Sequence, residues 1–379
     1  MKLTLAIPSL NLDEDEIRIP LCLHAFNKIL QYGSLHRQSC TASAFYARYL
    51  WCGRLVERAA QSLNMPSEAV ALATPVWQKM GMHQANVLTA EYLNVGTDEA
   101  ERICRDLSAF YGDIPWRFVP VLPELWLVSL PCAYRWGAKP VLDLGGLLGA
   151  DDQPDGEDAL EWLRVQTEIQ MWLAAHPVNH NRKKRGLPEL NGLWLWDGTN
   201  GGAQGGTLFA DTVWSRFHSD RRATEIQMWL AAHPVNHNRK KRGLPELNGL
   251  WLWDGTNGGA QGGTLFADTV WSRFHSDRRA LPDNFRAYEE TAAHLPDTHH
   301  ILFMDDLRLT ALTGDRERYA AILQQWEERW FAPIYEAVRT GKIKRLDITT
   351  DGQHGGTLTF KPADRWKFWR GAKTFDGIW

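Results

Sequence analysis

The stretch HPVNHNRKKRGLPELNGLWLWDG, beginning at His176, sets an imidazole, an amide and four consecutive cations just ahead of an apolar segment. Its candidate ligand-binding side chains are His176, Asn179, Arg182, Arg185 and Asn191. Arginines crowded into a turn can hold a phosphate or carboxylate through charge-assisted hydrogen bonds. The competing reading is a solvated basic turn whose arginines anchor neighbouring carbonyls. The same set recurs as His233, Asn236, Arg239, Arg242 and Asn248. A second group lies in TTDGQHGG, where Asp351 and His354 stand three apart. A carboxylate and an imidazole so placed suit a divalent metal or an acid–base pair. A turn between strands also selects Asp and Gly for backbone reasons alone.

Other chemistries lack their residues. GGAQGG has neither the Gly-Lys-Ser/Thr of a phosphate-binding loop nor the spacing of a dinucleotide fingerprint. No G-x-S-x-G elbow and no H-E-x-x-H helix occur. RKKR is not interleaved with aromatics, which weakens a nucleic-acid reading of that turn. His299 and His300 sit at a strand start and are expected to be partly exposed. The chain carries 19 tryptophans. The plain expectation is an aromatic-rich core, and a stacking platform for bases or sugars is the alternative.

The elements that must position these residues alternate between strand and helix. KLTLAIP reads as a strand ended by proline, ELWLVSL (Glu124–Leu130) as another, and LNGLWLW as a strand apolar on both faces, hence covered on both. HILFMD, RLDITT and GTLTF add further strands. Helices are expected over 41–63, over 98–112 with Thr97 as N-cap, and over DALEWLRVQTEIQMWLAAH, with apolar residues at Leu160, Leu163, Met171 and Ala174. That helix stops at His176 because Pro177 disfavours helical geometry before it. Asn179 is then placed to cap a turn that Gly186 and Pro188 close. A long helix from Asp315 is interrupted at Pro333, and a basic aromatic tail, RWKFWRG, follows the last strand. The fold expected is α/β, a layered mixed sheet with helices on both faces.

Residues 167–223 and 224–280 are the same 57 residues without one difference. Solenoid repeats diverge and usually number three or more, so the pair reads as a tandem duplication inside one domain. Residues 1–166 and 281–379 are its flanking parts, and the parent has 322 residues. Any crossover between copies at matching phase restores the parental sequence. The glycine loop Asp197–Gly206 is the favoured exit for the surplus, because such loops tolerate insertion.

A formal net charge of −3 gives no bulk attraction to nucleic acid or an anionic membrane, so neither is expected as a partner. Five cysteines without C-x-x-C spacing suit a reducing cytoplasm. No apolar run approaches the ~18 residues of a membrane span.

His176, Pro177, Val178, Asn179, Arg182, Arg185, Gly186, Asn191, Leu193, Trp194 and Trp196 together resemble a motif of the proteobacterial RpfE-type regulatory proteins. More loosely, the stretch resembles the matching segment of archaeal-type, bisphosphoglycerate-independent phosphoglycerate mutases. Asp197 departs from the glycine expected after the second tryptophan. The resemblance implies a fold like the alkaline phosphatase superfamily. It also implies two metal ions held by Asp and His at strand ends and a transiently phosphorylated Ser or Thr. The first strand should then end in a metal-binding Asp, but here it reads LAIPSLN. Asp351 and His354 stand where a late Asp-His pair is expected, and Asp305 and Asp306 follow HILFM without a His. The expectation is therefore a non-catalytic protein with a regulatory or anion-binding role, with no cofactor assigned and a divalent metal left open. Its expected ligand is a phosphate- or carboxylate-bearing small molecule, with no protein partner named. The alternative is an active metal-dependent phosphoglycerate mutase or phosphatase.

Overall fold

The alternation in KLTLAI divides the interior into two cores. Strand β1 (Lys2–Ala6) sends Leu3 and Leu5 into one and Ala6 into the other, because successive side chains of a strand leave by opposite faces. The computed structural model describes residues 1–12, 21–51, 54–65, 69–80, 85–112, 114, 116–132, 134–144, 147–148, 152–196, 263–275, 278–296, 298–367 and 369–379. They belong to one unit, Met1–Asn200 with Gly258–Trp379.

After β1 come α1 (His24–Tyr32), β2 (Ser34–Arg37), α2 (Ala42–Tyr46), α3 (Leu55–Ser62), β3 (Val70–Met80) and β4 (Ala85–Leu88). Next are α4 (Ala90–Leu93), α5 (Thr97–Phe110), β5 (Arg117–Leu122), β6 (Leu125–Ser129), β7 (Leu147–Leu148), α6 (Ala159–Ala175), α7 (Pro177–Lys184) and β8 (Gly192–Trp196). The chain continues with β9 (Thr264–Ala267), β10 (Arg278–Arg279), α8 (Phe285–Ala292), β11 (His299–Phe303) and α9 (Asp306–Thr313). It ends with α10 (Arg316–Trp326), α11 (Ala332–Arg339), β12 (Arg345–Thr350) and β13 (Gly356–Phe360).

Seven strands form one sheet in the order β10-β9-β11-β1-β12-β13-β2. The first five run parallel, and β13 and β2 each pair antiparallel with their neighbour. Apolar residues cover both faces. Leu302, Leu346 and Ile348 join Leu3 and Leu5 in one core, while Leu265, Ile301 and Phe303 join Ala6 in the other. This is the mixed α/β layering expected.

A second, antiparallel sheet was not legible. It runs β5-β6-β3-β4-β7, with β8 also on β3. Strand β3 changes partners along its length: Val70–Ala73 faces β6, Leu72–Val76 faces β8, and Trp77–Met80 faces β4. Pro75 in its middle reads as a strand breaker in sequence. All five residues of β8 are buried, as its two-sided apolar pattern demands.

Four local expectations are corrected. Helix α6 buries Trp162, Val165, Gln166, Ile169 and Leu173, whereas Leu160 and Met171 are 81% and 67% exposed. The indole of Trp162 decides the facing, since its Nε1 donates to Leu195 O at 3.0 Å on β8. Thr97 is the first residue of α5 and Gly96 its cap, with Glu99 accepting the Gly96 N–H at 3.2 Å. The segment after His176 is the helix α7 rather than a turn, and its cap is His176, whose Nδ1 accepts from Val178 N. The late helix runs on past Pro333, which lies in the first turn of α11, and a π stretch over Glu327–Phe331 precedes it. Such stretches absorb the register change that a missing N–H imposes.

Helix α6 from Thr167 onward, α7 and β8 come from the first copy of the repeated block, and β9 and β10 from the second. The loop Asp197–Gly206 lies outside the described residues. Among those described, no helix is long and apolar enough to cross a membrane.

Candidate functional site

Parallel strands present ligands at their carboxyl ends, where the following loops open a crevice. The register sets Ala6 beside Phe303 and Thr349, and Phe303 beside Ala267. Four neighbouring strands therefore finish at one level, and polar residues stand within three positions of each end: Asp268 after β9, Asp305 and Asp306 after β11, Ser9 after β1, and Asp351 after β12. Asp268 and Arg318 lie within electrostatic reach of Asp306.

Asp351 is 5% exposed and accepts the Ser9 main-chain N–H at 2.6 Å. Burial pushes its carboxyl up, against that hydrogen bond and the Arg308 charge. Leu10 N donates to Thr350 Oγ1 at 3.2 Å, and Tyr49 shares a hydrogen bond with Thr349 Oγ1 at 3.0 Å. The turn after Asp351 closes through Gly352, at φ +86°, whose N–H donates to Cys40 O at 2.8 Å. His354 follows in this turn. Its carbonyl accepts from Asn11 Nδ2 at 2.7 Å and Trp379 Nε1 at 3.0 Å.

Around this edge stands a set of residues the sequence did not single out. Thr41 Oγ1 and Ser43 Oγ share a hydrogen bond at 3.0 Å, and Ser43 Oγ donates to Asp143 Oδ2 at 2.5 Å. Ser43 N holds the other Asp143 oxygen at 2.8 Å. Burial pushes the Asp143 carboxyl up, and the Ser43 hydrogen bonds oppose it. Arg308 is 4% exposed, donates to Leu142 O at 2.7 Å and lies over the Tyr46 ring at 5.5 Å. Burial, then the Asp351 charge, pushes the Cys40 thiol up to about 12, which removes thiolate chemistry at neutral pH. One signal could have found this group: TAS at Thr41–Ser43 is a hydroxyl-rich helix start.

The two-metal centre is an implication of the family resemblance, and the chain's first acids, residues 13–16, lie outside the described residues. Strands β11 and β12 flank β1, so their ends are roughly 9–10 Å apart. Strand β1 ends at Ala6, and Ile7, Pro8 and Ser9 follow it. Among the described residues, no three His, Cys, Asp or Glu side chains are grouped to hold a metal.

No protein-family model matches this chain, and no curated protein sequence matches it. Among solved structures, it is similar to the cofactor-independent phosphoglycerate mutase of Thermoplasma acidophilum, at 12% identity and a TM-score of 0.36. That match covers 95% of this chain and 89% of the other. It is also similar to a protein from Pyrococcus horikoshii, at 11% identity and a TM-score of 0.44, covering 94% and 86%.

The basic segment predicted as an anion surface lies in the first copy of the block. Arg182 is wholly buried. Its Nε donates to Pro188 O at 2.8 Å, its Nη1 to Glu99 at 2.5 Å, and its Nη2 to Leu93 O. Asn179, also buried, donates to Leu173 O and Leu190 O and accepts from Leu190 N. Asn191 bonds across to Gln78 on β3 at both ends of its amide. His176 reaches Asp106 at 3.2 Å. Arg185 is exposed and reaches Glu99 at 3.2 Å. His233, Asn236, Arg239, Arg242 and Asn248 lie outside the described residues.

Proposed function

We propose that this chain is a non-catalytic protein of RpfE type, built on a phosphoglycerate-mutase-like framework. Its role is to bind a phosphate- or carboxylate-bearing small molecule at the carboxyl ends of β1, β11 and β12. The observation that carries this reading is the Ser9–Asp351 hydrogen bond. The loop after the middle strand offers Ser9, which has no carboxylate for a metal, and its N–H engages the acid at the end of the next strand. An anion there would take over the donors that Thr41 and Ser43 now give to each other and to Asp143. The exposed Lys183, Lys184 and Arg185 are the second place proposed for an anion.

The test is a mutase and phosphatase assay with Mn²⁺, Mg²⁺ or Zn²⁺, run beside a thermal-shift titration with inorganic phosphate and phosphoglycerate. The expected result is no turnover with any ion and a ligand-dependent rise in Tm. Combined Thr41→Ala and Ser43→Ala substitution should remove that rise, whereas Arg185→Ala should remove it if the basic end of α7 is the site. Turnover with any ion sinks the non-catalytic reading, and an unmoved Tm sinks the binding role.

A second reading is an active metal-dependent phosphoglycerate mutase or phosphatase. It is favoured by the chain Thr41–Ser43–Asp143, in which a carboxylate could draw a proton from a hydroxyl and leave it nucleophilic.

A further inference from the structure

The segment from Lys361 to Lys373, KPADRWKFWRGAK, carries five cations against one acid, in a chain whose overall charge is −3. Two tryptophans project from it, Trp366 at 63% and Trp369 at 71% exposure. Most large aromatics of this protein are buried, and an indole left in water forgoes the burial that would stabilise the fold. The guanidinium of Arg365 lies over the Trp366 ring at 5.0 Å, while Arg365 Nη1 donates to Arg339 O at 2.6 Å. The cation is therefore held in place beside the ring. Lys361, Arg365 and Lys373 are all exposed.

The segment is anchored at both ends. A short 3-10 helix, Pro362–Trp366, begins it, and Phe375 and Trp379 return to the core after it. Arg370 is fixed by donating to Tyr32 O at 3.1 Å and to Gly33 O. Beside it, Gly33, Ser34, Leu35, Arg370, Gly371 and Lys373 line an open groove of about 420 Å³. Strand β2, at the edge of the seven-stranded sheet, contributes exposed His36 and Arg37 to the same region.

We propose that this surface binds single-stranded nucleic acid, with bases stacked on Trp366 and Trp369 and phosphates held by Lys361, Arg365 and Lys373. Two requirements decide the ligand class. The cations need an anionic partner, and the indole faces need flat, polarisable ones. A single strand meets both at once, because every base offers a π-face and every nucleotide a phosphate. An acidic peptide meets the first alone. A lipid surface needs a continuous apolar face, and here Arg365, Lys367 and Arg370 adjoin the two exposed indoles in sequence. The bulk charge does not speak against this, since phosphates are sensed over about a Debye length, roughly 8–10 Å. The site is distinct from the strand-end cluster and does not rest on the function proposed there.

The test is fluorescence anisotropy of labelled uridine and thymidine dodecamers with the full chain, at about 50 and about 200 mM salt. Binding should weaken with salt at a logarithmic slope of about −2, as three phosphate contacts on a single strand require. Trp366→Ala with Trp369→Ala should weaken it about tenfold or more, and Lys373→Glu should weaken it without touching the core. A preference for uridine over thymidine, or the reverse, identifies RNA or DNA as the natural strand. Failure of both dodecamers to bind overturns the proposal, as does binding that survives the double substitution and Lys373→Glu. Tryptophan-dependent capture of polyglutamate or phosphatidylserine vesicles, without the dodecamers, also overturns it.

Discussion

The main-chain N–H of Ser9 donates to the Asp351 carboxyl at 2.6 Å, joining the loop after β1 to the end of β12. Ser9 holds a left-handed φ of +58° to do so, uncommon outside glycine. Removing the acceptor leaves a buried donor unpaired. Asp351→Ala should therefore destabilise by about 1–3 kcal/mol, and Asp351→Asn, which keeps an acceptor, by much less. Urea denaturation of the two variants measures the difference.

The same position tests the proposed non-catalytic reading. Aspartate tolerates left-handed backbone better than most residues, and Ser9→Asp puts a carboxylate between the ends of β11 and β12. Mn²⁺ or Zn²⁺ is expected to raise the Tm of this variant, reversibly with a chelator, and to leave the original chain unmoved. An equal response from both proteins would refute the reading of Ser9.

Arg182 and Arg239 occupy equivalent places in identical blocks, yet the partners Glu99 and Leu93 occur once in the chain. One arginine alone can hold them. Arg182→Ala should cost about 3 kcal/mol, the scale of breaking a buried ion pair, and Arg239→Ala should have a clearly different effect. Equal losses in Tm would show that both arginines share the work.

Deleting residues 201–257 removes 57 residues and restores the parental sequence across the junction. The 322-residue chain should fold to the same circular-dichroism spectrum. Shortening the connection from β8 to β9 should stabilise it by about 1–2 kcal/mol, on loop closure alone. A loss of cooperative melting would mean that the second copy is needed for the fold.

The Asp106–His176 contact predicts an acid dependence. Burial acts to raise the Asp106 carboxyl, but hydrogen bonds from His176 and Arg105 outweigh it and hold the group below its ordinary value. A folded-state value below the unfolded one stabilises above about pH 4, and that contribution is lost as pH falls through the folded value. Because Asp106 is 38% exposed, the effect is small, about 1–2 °C. Asp106→Asn should lower Tm at pH near 6, and the gap should close near pH 3; a gap that persists would place the effect elsewhere.

Much of the frame was written locally. The strands Lys2–Ala6, Arg345–Thr350 and Gly356–Phe360 are legible because short β-rich runs are bounded by Pro, Gly or Asp. The facing of α6 was not legible, since two apolar stripes compete and the Trp162 hydrogen bond to β8 chooses between them. Nor was the second sheet, because β3 carries a proline at the point where it exchanges partners.

For the sites, sequence determines which groups are present: a serine after the first strand, Asp351 with His354, a basic segment, and a tail rich in tryptophan and cations. Tertiary structure alone decides which of them meet. Ser9 and Asp351 are 342 residues apart and touch because β1 and β12 pair in parallel, and Ser43 finds Asp143 across 100 residues. Composition promised buried tryptophans, and for Trp162, Trp194 and Trp196 packing keeps that promise. Trp366 and Trp369 stay in water because their short segment is pinned at both ends over an edge strand, which leaves their rings no core to enter.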